Sequence, residues 1–301
     1  LTLKGTSELD GNVTIDGGTV KIGQADGTAE TSTVGAKSIA GADKIEITKA
    51  DGSITPATAA DKLVIKAGAT DTTVEAPITG GDLQLTGTDS TTTLGGKVDV
   101  ENLDVDGKML AEDVITADNF TVGTNGDLTI DVDCVGSDIT NNGTITLKGN
   151  GQDEDSGTYP NSTDQLQHKI GGSGTITIDP AGQMVTSNAD NLASAGGITN
   201  TGDKLTLTGG TLGTDLRDGN GTVTIDGDVE VADGKQVANN VRIKSQDGTE
   251  PEEGLTIRAE DLKGNVTIEG EGDEAGILTL KGTSELDGNV TIDGGTVKIG
   301  Q

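Results

Sequence analysis

The sequence predicts an all-β chain wound as a β-solenoid (a parallel β-helix) of short strands, in coils of about 20–25 residues. Three observations carry that expectation. Leu1–Gln24, LTLKGTSELDGNVTIDGGTVKIGQ, recurs letter for letter as Leu278–Gln301. A finer repeat lies inside it. Leu255-Thr-Ile-Arg leads through Leu262 to Gly264-Asn-Val-Thr-Ile-Glu-Gly270, and Leu278-Thr-Leu-Lys leads through Leu286 to Gly288-Asn-Val-Thr-Ile-Asp-Gly294, one coil length on. Finally, the 301 residues are 31% hydrophobic and only 1% aromatic, with Phe120 and Tyr159 the sole rings. A core without rings must be thin and aliphatic, so each inward residue needs a similar neighbour above and below it.

The elements follow in chain order from one local pattern, apolar–x–apolar closed by a turn residue. Val13/Ile15, Val20/Ile22, Ile45/Ile47, Leu63/Ile65, Leu83/Leu85 and Val98/Val100 open the series. Phe120/Val122, Leu128/Ile130, Ile145/Leu147 and Ile176/Ile178 continue it, then Leu205/Leu207, Val223/Ile225, Val241/Ile243 and Leu255/Ile257. Alternation sets both apolar residues on one face and Thr, Lys or Asp on the other. Between the good strands falls a shorter one centred on a single Leu, as at Leu216, Leu262 and Leu286. Forty-eight Gly against five Pro imply many turns that need positive φ or close approach, and few that need a fixed φ. A hairpin-built sandwich is the rival, but tandem immunoglobulin-like domains want about 100 residues each and a buried aromatic.

On this reading residues 1–277 form one period of a tandem array, holding about a dozen coils, and residues 278–301 begin the next. Both copies should adopt the same structure, one period apart along a common axis. Two stretches break the pattern. Ala25–Asp43 has few paired apolar residues, and residues 148–169, KGNGQDEDSGTYPNSTDQLQHK, read as a protruding polar loop. Met109–Asp118 fits either one helical turn or a continued coil.

A formal charge of −30 repels phosphates, so nucleic acid is excluded as a natural partner. Acidic rods repel one another and attract divalent cations. No apolar run approaches the ~18 residues of a membrane helix, so no membrane insertion is expected. The one cysteine, Cys134, rules out an internal disulfide framework and reads as a small buried hydrophobe, with an interchain bridge as the alternative.

Candidate chemistry is sparse. The single His168 has no Ser, Cys or second His at motif spacing, so no catalytic residue is assigned and the chain is not expected to be an enzyme. A carbohydrate-active β-helix would want sugar-stacking rings and clustered cations. Asp104 and Asp106, and Asp131 and Asp133, each place two acids on one strand face, the two pairs about one coil apart. Stacked in neighbouring coils they would form a ladder of four carboxylates for calcium; the alternative is a solvated acidic face. No cofactor is implied otherwise. Asn161, in the polar loop, is the candidate glycosylation site. At Asn12, Asn265 and Asn289 the same Asn-x-Thr pattern reads instead as a hydrogen-bonded Asn ladder between coils.

The strings GNVTIDGGTVKIG and KLTLTGGTLG resemble the repetitive regions of filamentous haemagglutinin-type and autotransporter-like surface adhesins. The resemblance implies a right-handed β-solenoid stalk with Thr, Asn and Gly at its corners, engaged in surface display and adhesion. Together these readings predict a structural repeat of an extracellular, cell-surface fibre, stalk or sheath whose partner is itself. The alternative is an adhesin that binds a host receptor or glycan through residues 148–169.

Overall fold

The computed structural model describes, with side chains, residues 62–67, 70–75, 77–149, 165–217, 221–244, 262–270, 276–280 and 286–299. Strands before residue 62, and Gly254–Ile257, are described as backbone alone. The chain is a β-solenoid of parallel stacked strands, with no α-helix and about ten turns among the described residues. It divides into two units, Leu1–Ile145 and Thr146–Gln301.

In the first unit, strands Thr72–Val74, Thr91–Leu94, Lys108–Ala111 and Asp127–Asp131 pair in succession, each parallel to the next. The second sheet is organised by two long strands, Val98–Val105 and Ile115–Val122. Both bend where their alternation breaks: Val100 and Leu103 point inward with Glu101 and Asn102 between them, as do Ala117 and Phe120 around Asp118 and Asn119. Two outward residues in a row turn the chain through a corner without ending the strand. One coil therefore has three sides.

Register stacks like on like. Leu63, Leu83, Leu103, Phe120 and Ile139 form one column through consecutive coils, each at most 2% exposed. Burying each such side chain contributes about 1.5–3 kcal/mol. The neighbouring column runs Ile65, Leu85, Val105, Val122 and then Asn141, whose buried side-chain oxygen accepts a hydrogen bond from the Gly143 N–H at 3.1 Å.

The second unit repeats the logic. Val185, Leu205, Val223, Val241, Val266 and Val290 stack on one side. Strands Gly210–Leu212, Val229–Val231, Gly254–Ile257, Ile277–Leu280 and Thr296–Ile299 make another. The third side is thin: single bridges join Leu216 to Val237, Val237 to Leu262 and Leu262 to Leu286, as expected of a strand built on one Leu.

Coil lengths vary more than the sequence repeat implies. At one corner Asn119 follows Asn102 at a separation of 17 in the chain, whereas at another Asn265 follows Asn240 at a separation of 25. Turns absorb the difference, because only the inward residues must keep register. Ala25–Asp43 does not break the pattern as expected: strands Thr33–Ala36 and Ser38–Ala40 lie within it, paired to other coils through main-chain hydrogen bonds that need no apolar doublet. Met109–Asp118 continues the coil as two strands.

The duplicated segment folds alike in both places. Thr2 and Leu3 pair with Lys21 and Ile22; Thr279 and Leu280, their counterparts in the second copy, pair with Lys298 and Ile299. The two copies therefore share strands and internal register.

Candidate functional site

The coil built from the second copy carries the feature that stands apart. Strand Val290–Asp293 lies at the edge of its seven-stranded sheet, and Thr296–Ile299 at the edge of its five-stranded one. Val290 is 38% exposed, Ile292 54% and Ile299 76%, whereas Val266 and Ile268, one coil earlier in the same columns as Val290 and Ile292, are at most 1% exposed. Side chains of core type thus form an open apolar face beside unpaired strand edges, which are templates for further pairing. Only the duplication hints at this face in the sequence, because Val290 and Ile292 read there as ordinary core residues.

The motif Gly-Asn-Val-Thr-Ile explains how a coil is seated on its neighbour. A Cβ at Gly288 would be driven into the Gly264 carbonyl, and one at Gly264 into the Asn239 carbonyl. Glycine is needed there for close approach of two backbones. The following Asn then ties the corner. The Asn289 N–H donates to the Asn265 side-chain oxygen at 3.0 Å, and the Asn265 N–H to that of Asn240 at 3.0 Å. The expected ladder therefore forms at Asn265 and Asn289, and extends to Asn240; the side chain of Asn12 lies outside the described residues. A second ladder caps the corners of the first unit, where Asn119 Nδ2 donates to Asn102 Oδ1 at 2.8 Å.

Deeper in the second unit, Asn200 and Asn239 are buried at 0% exposure. Asn239 Nδ2 donates to the Asn200 and Gly221 carbonyls at 2.7 and 3.0 Å, so the amide links three coils. The Oδ1 atoms of both residues lack a hydrogen-bond partner among the described residues.

The acidic pairs are not brought together. Asp104 lies in register between Gln84 and Thr121, not over Asp131. Its carboxylate takes Lys62 Nζ at 2.5 Å, and Asp106 accepts from Gln84 Nε2 at 2.7 Å. Asp131 ends a strand of the other sheet, and Asp133 lies in the 3-10 turn Val132–Cys134. No group of three or more His, Cys, Asp or Glu side chains is placed to hold a metal among the described residues. The spacing misled because coils of unequal length carry residues so separated onto different sheets. Neutral neighbours also avoid the repulsion of like charges placed directly opposite. Asp99 likewise faces Thr79 and Thr116, and Asp127 faces Lys108.

Cys134 is buried and free. Burial, then the charge of Asp133, pushes its thiol from an ordinary value near 9 up to about 12, helped by Asp131 and by a hydrogen bond to Asp133. A thiol so held fits a packing role better than a bridge between chains. Between pH 9 and about 12 the folded chain keeps a proton that the unfolded chain has lost, so this group's stabilisation falls as pH rises through that window. Urea titrations of the wild type and Cys134→Ala from pH 8 to 11 should show a steeper loss of stability in the wild type. Parallel pH profiles would refute the assignment.

His168 lies in the described part of the polar stretch and is half-buried; Tyr159 and Asn161 lie outside the described residues. The stretch 148–169 is anchored in coils at both ends. Lys148 closes strand Thr144–Lys148, and Gln165–Leu166 pairs with Thr186 and Ser187. The Asp179 N–H donates to the Leu147 carbonyl, closing a longer span of chain than the bond from Asn142 to Val122 closes. No helix among the described residues is long and apolar enough to cross a membrane. No protein-family model, no curated protein and no solved structure matches the chain.

Proposed function

We propose that the chain is a structural repeat unit of an exported, self-associating extracellular fibre, stalk or sheath. The observation that carries this reading is the duplicated coil. One sequence, Leu1–Gln24 and again Leu278–Gln301, is used twice with the same internal register, and in the second use its apolar face is left uncovered. A face of that kind is completed by another coil, and parallel strands have open edges on which to add one. The function is mechanical: main-chain ladders and aliphatic columns make a rod, and the charge of −30 keeps assembled rods apart in solution. The reading assigns the chain no catalytic step, and its partner is itself. Extracellular placement is part of the proposal and rests on the resemblance of GNVTIDGGTVKIG and KLTLTGGTLG to surface adhesin repeats.

The native material should form filaments, and oriented specimens should diffract at about 4.8 Å along the fibre axis, the spacing of stacked coils. Mass after denaturation then separates one very long chain from subunits of 30.2 kDa. Material that stays a dispersed monomer at high concentration overturns the reading.

A further inference from the structure

We infer that the open face at Val290–Asp293 and Thr296–Ile299 is the docking site for a second copy of this chain, specifically for its strands Ser38–Ala40 and Lys44–Ile47. The inference rests on the self-association reading and names the segment and register that carry it.

The occupant is identified by the chain itself, because the identical sequence also occurs with this side occupied. In the first copy, Asn12, Val13 and Thr14 pair with Ser38, Ile39 and Ala40. Thr19, Val20, Lys21 and Ile22 pair with Lys44, Ile45, Glu46 and Ile47. Residues 289–291 and 296–299 repeat these letters, yet lie at sheet edges with Val290 and Ile299 exposed. In the second copy the other side of the coil is the covered one: Val290 pairs with Val266, and Leu280, which pairs with Ile299, pairs also with Ile257. The two copies together define a coil with both neighbours specified.

Carrying the register of the first copy over to the second sets Val290 against Ile39, Val297 against Ile45 and Ile299 against Ile47 of the docked chain. Apolar positions meet apolar ones. Lys298 meets Glu46, a pairing of opposite charge on neighbouring parallel strands. The docked chain's residues 1–24 must then leave strands Ser38–Ala40 and Lys44–Ile47. Because residues 278–301 are identical to them, the pairings broken and formed are the same in kind, while the open face of the first chain becomes buried. Joining is therefore an exchange of one coil for its duplicate.

Crosslinking tests this in the full 301-residue chain, in a Cys134→Ala background. Lys298→Cys chains are mixed with Glu46→Cys chains and mildly oxidised. Paired residues on adjacent parallel strands lie about 4.8 Å apart, within disulfide reach. The expected result is a covalent dimer in this mixture, at least tenfold above a mixture of Lys298→Cys with Lys21→Cys. Adding Ile299→Glu to the Lys298→Cys chain should abolish it. A dimer that forms instead with Lys21→Cys means that coils stack without exchange; that overturns the inference and leaves self-association standing. Filaments without either crosslink also overturn it. No dimer and no filament sinks both.

Discussion

Phe120→Ala should lower the unfolding free energy of the first unit by about 3–5 kcal/mol. Phe120 is the only phenylalanine, is 2% exposed, and stands in a column between Leu103 and Ile139. An aliphatic core of this thinness has little around it able to collapse into the hole. Phe120→Leu, which keeps most of the volume, should cost under about 1.5 kcal/mol. Urea unfolding followed by circular dichroism measures both. The loss should also be local, since each coil touches only its neighbours. Hydrogen exchange should quicken in Val98–Val105 and Ile139–Asn141 while Val266–Glu269 keeps its protection. A cost below about 1 kcal/mol for the alanine variant, or a loss spread evenly along the chain, would contradict the stacked-column account.

Gly264→Ala should destabilise the second unit by about 1–3 kcal/mol, the cost of forcing extra atoms into a packed interior. The added methyl is aimed at the Asn239 carbonyl, a backbone atom that moves only if the coil moves. Gly234→Ala is the informative comparison. Its φ of +73° strains an alanine, but nothing lies within 4 Å of the Cβ, so its cost comes from backbone conformation alone. Exchange protection of the Asn265 and Val266 amides separates the two. It should drop in Gly264→Ala, where the coils are pushed apart, and hold in Gly234→Ala. Equal behaviour of both variants would show that coil spacing is not set at Gly264.

Much of this architecture was legible because inward residues repeat. Leu205/Leu207, Val223/Ile225 and Val241/Ile243 each predicted a strand, and each is one, stacked in register on the last. The single-Leu side was legible for the same reason, through Leu216, Leu262 and Leu286. Asn265 and Asn289 could be foreseen as a ladder because they occupy the same letter of a repeated phrase. The acidic pairs could not be placed in this way. Asp104 and Asp131 belong to no repeated phrase, and their separation along the chain says nothing of how much of it lies in turns.

The sequence by itself determined the kind of strand, its inward face and the existence of a repeating coil, because alternation of Val, Ile, Leu with Thr and charged residues is a local property. Only the tertiary structure decided which coil lies on which. That depends on how much chain each coil consumes, a separation of 17 from Asn102 to Asn119 against 25 from Asn240 to Asn265. It also decided that Val290, Ile292 and Ile299, written as core residues, stand open on a strand edge. Alternation says which way a side chain points, whereas exposure depends on whether another coil is there to meet it.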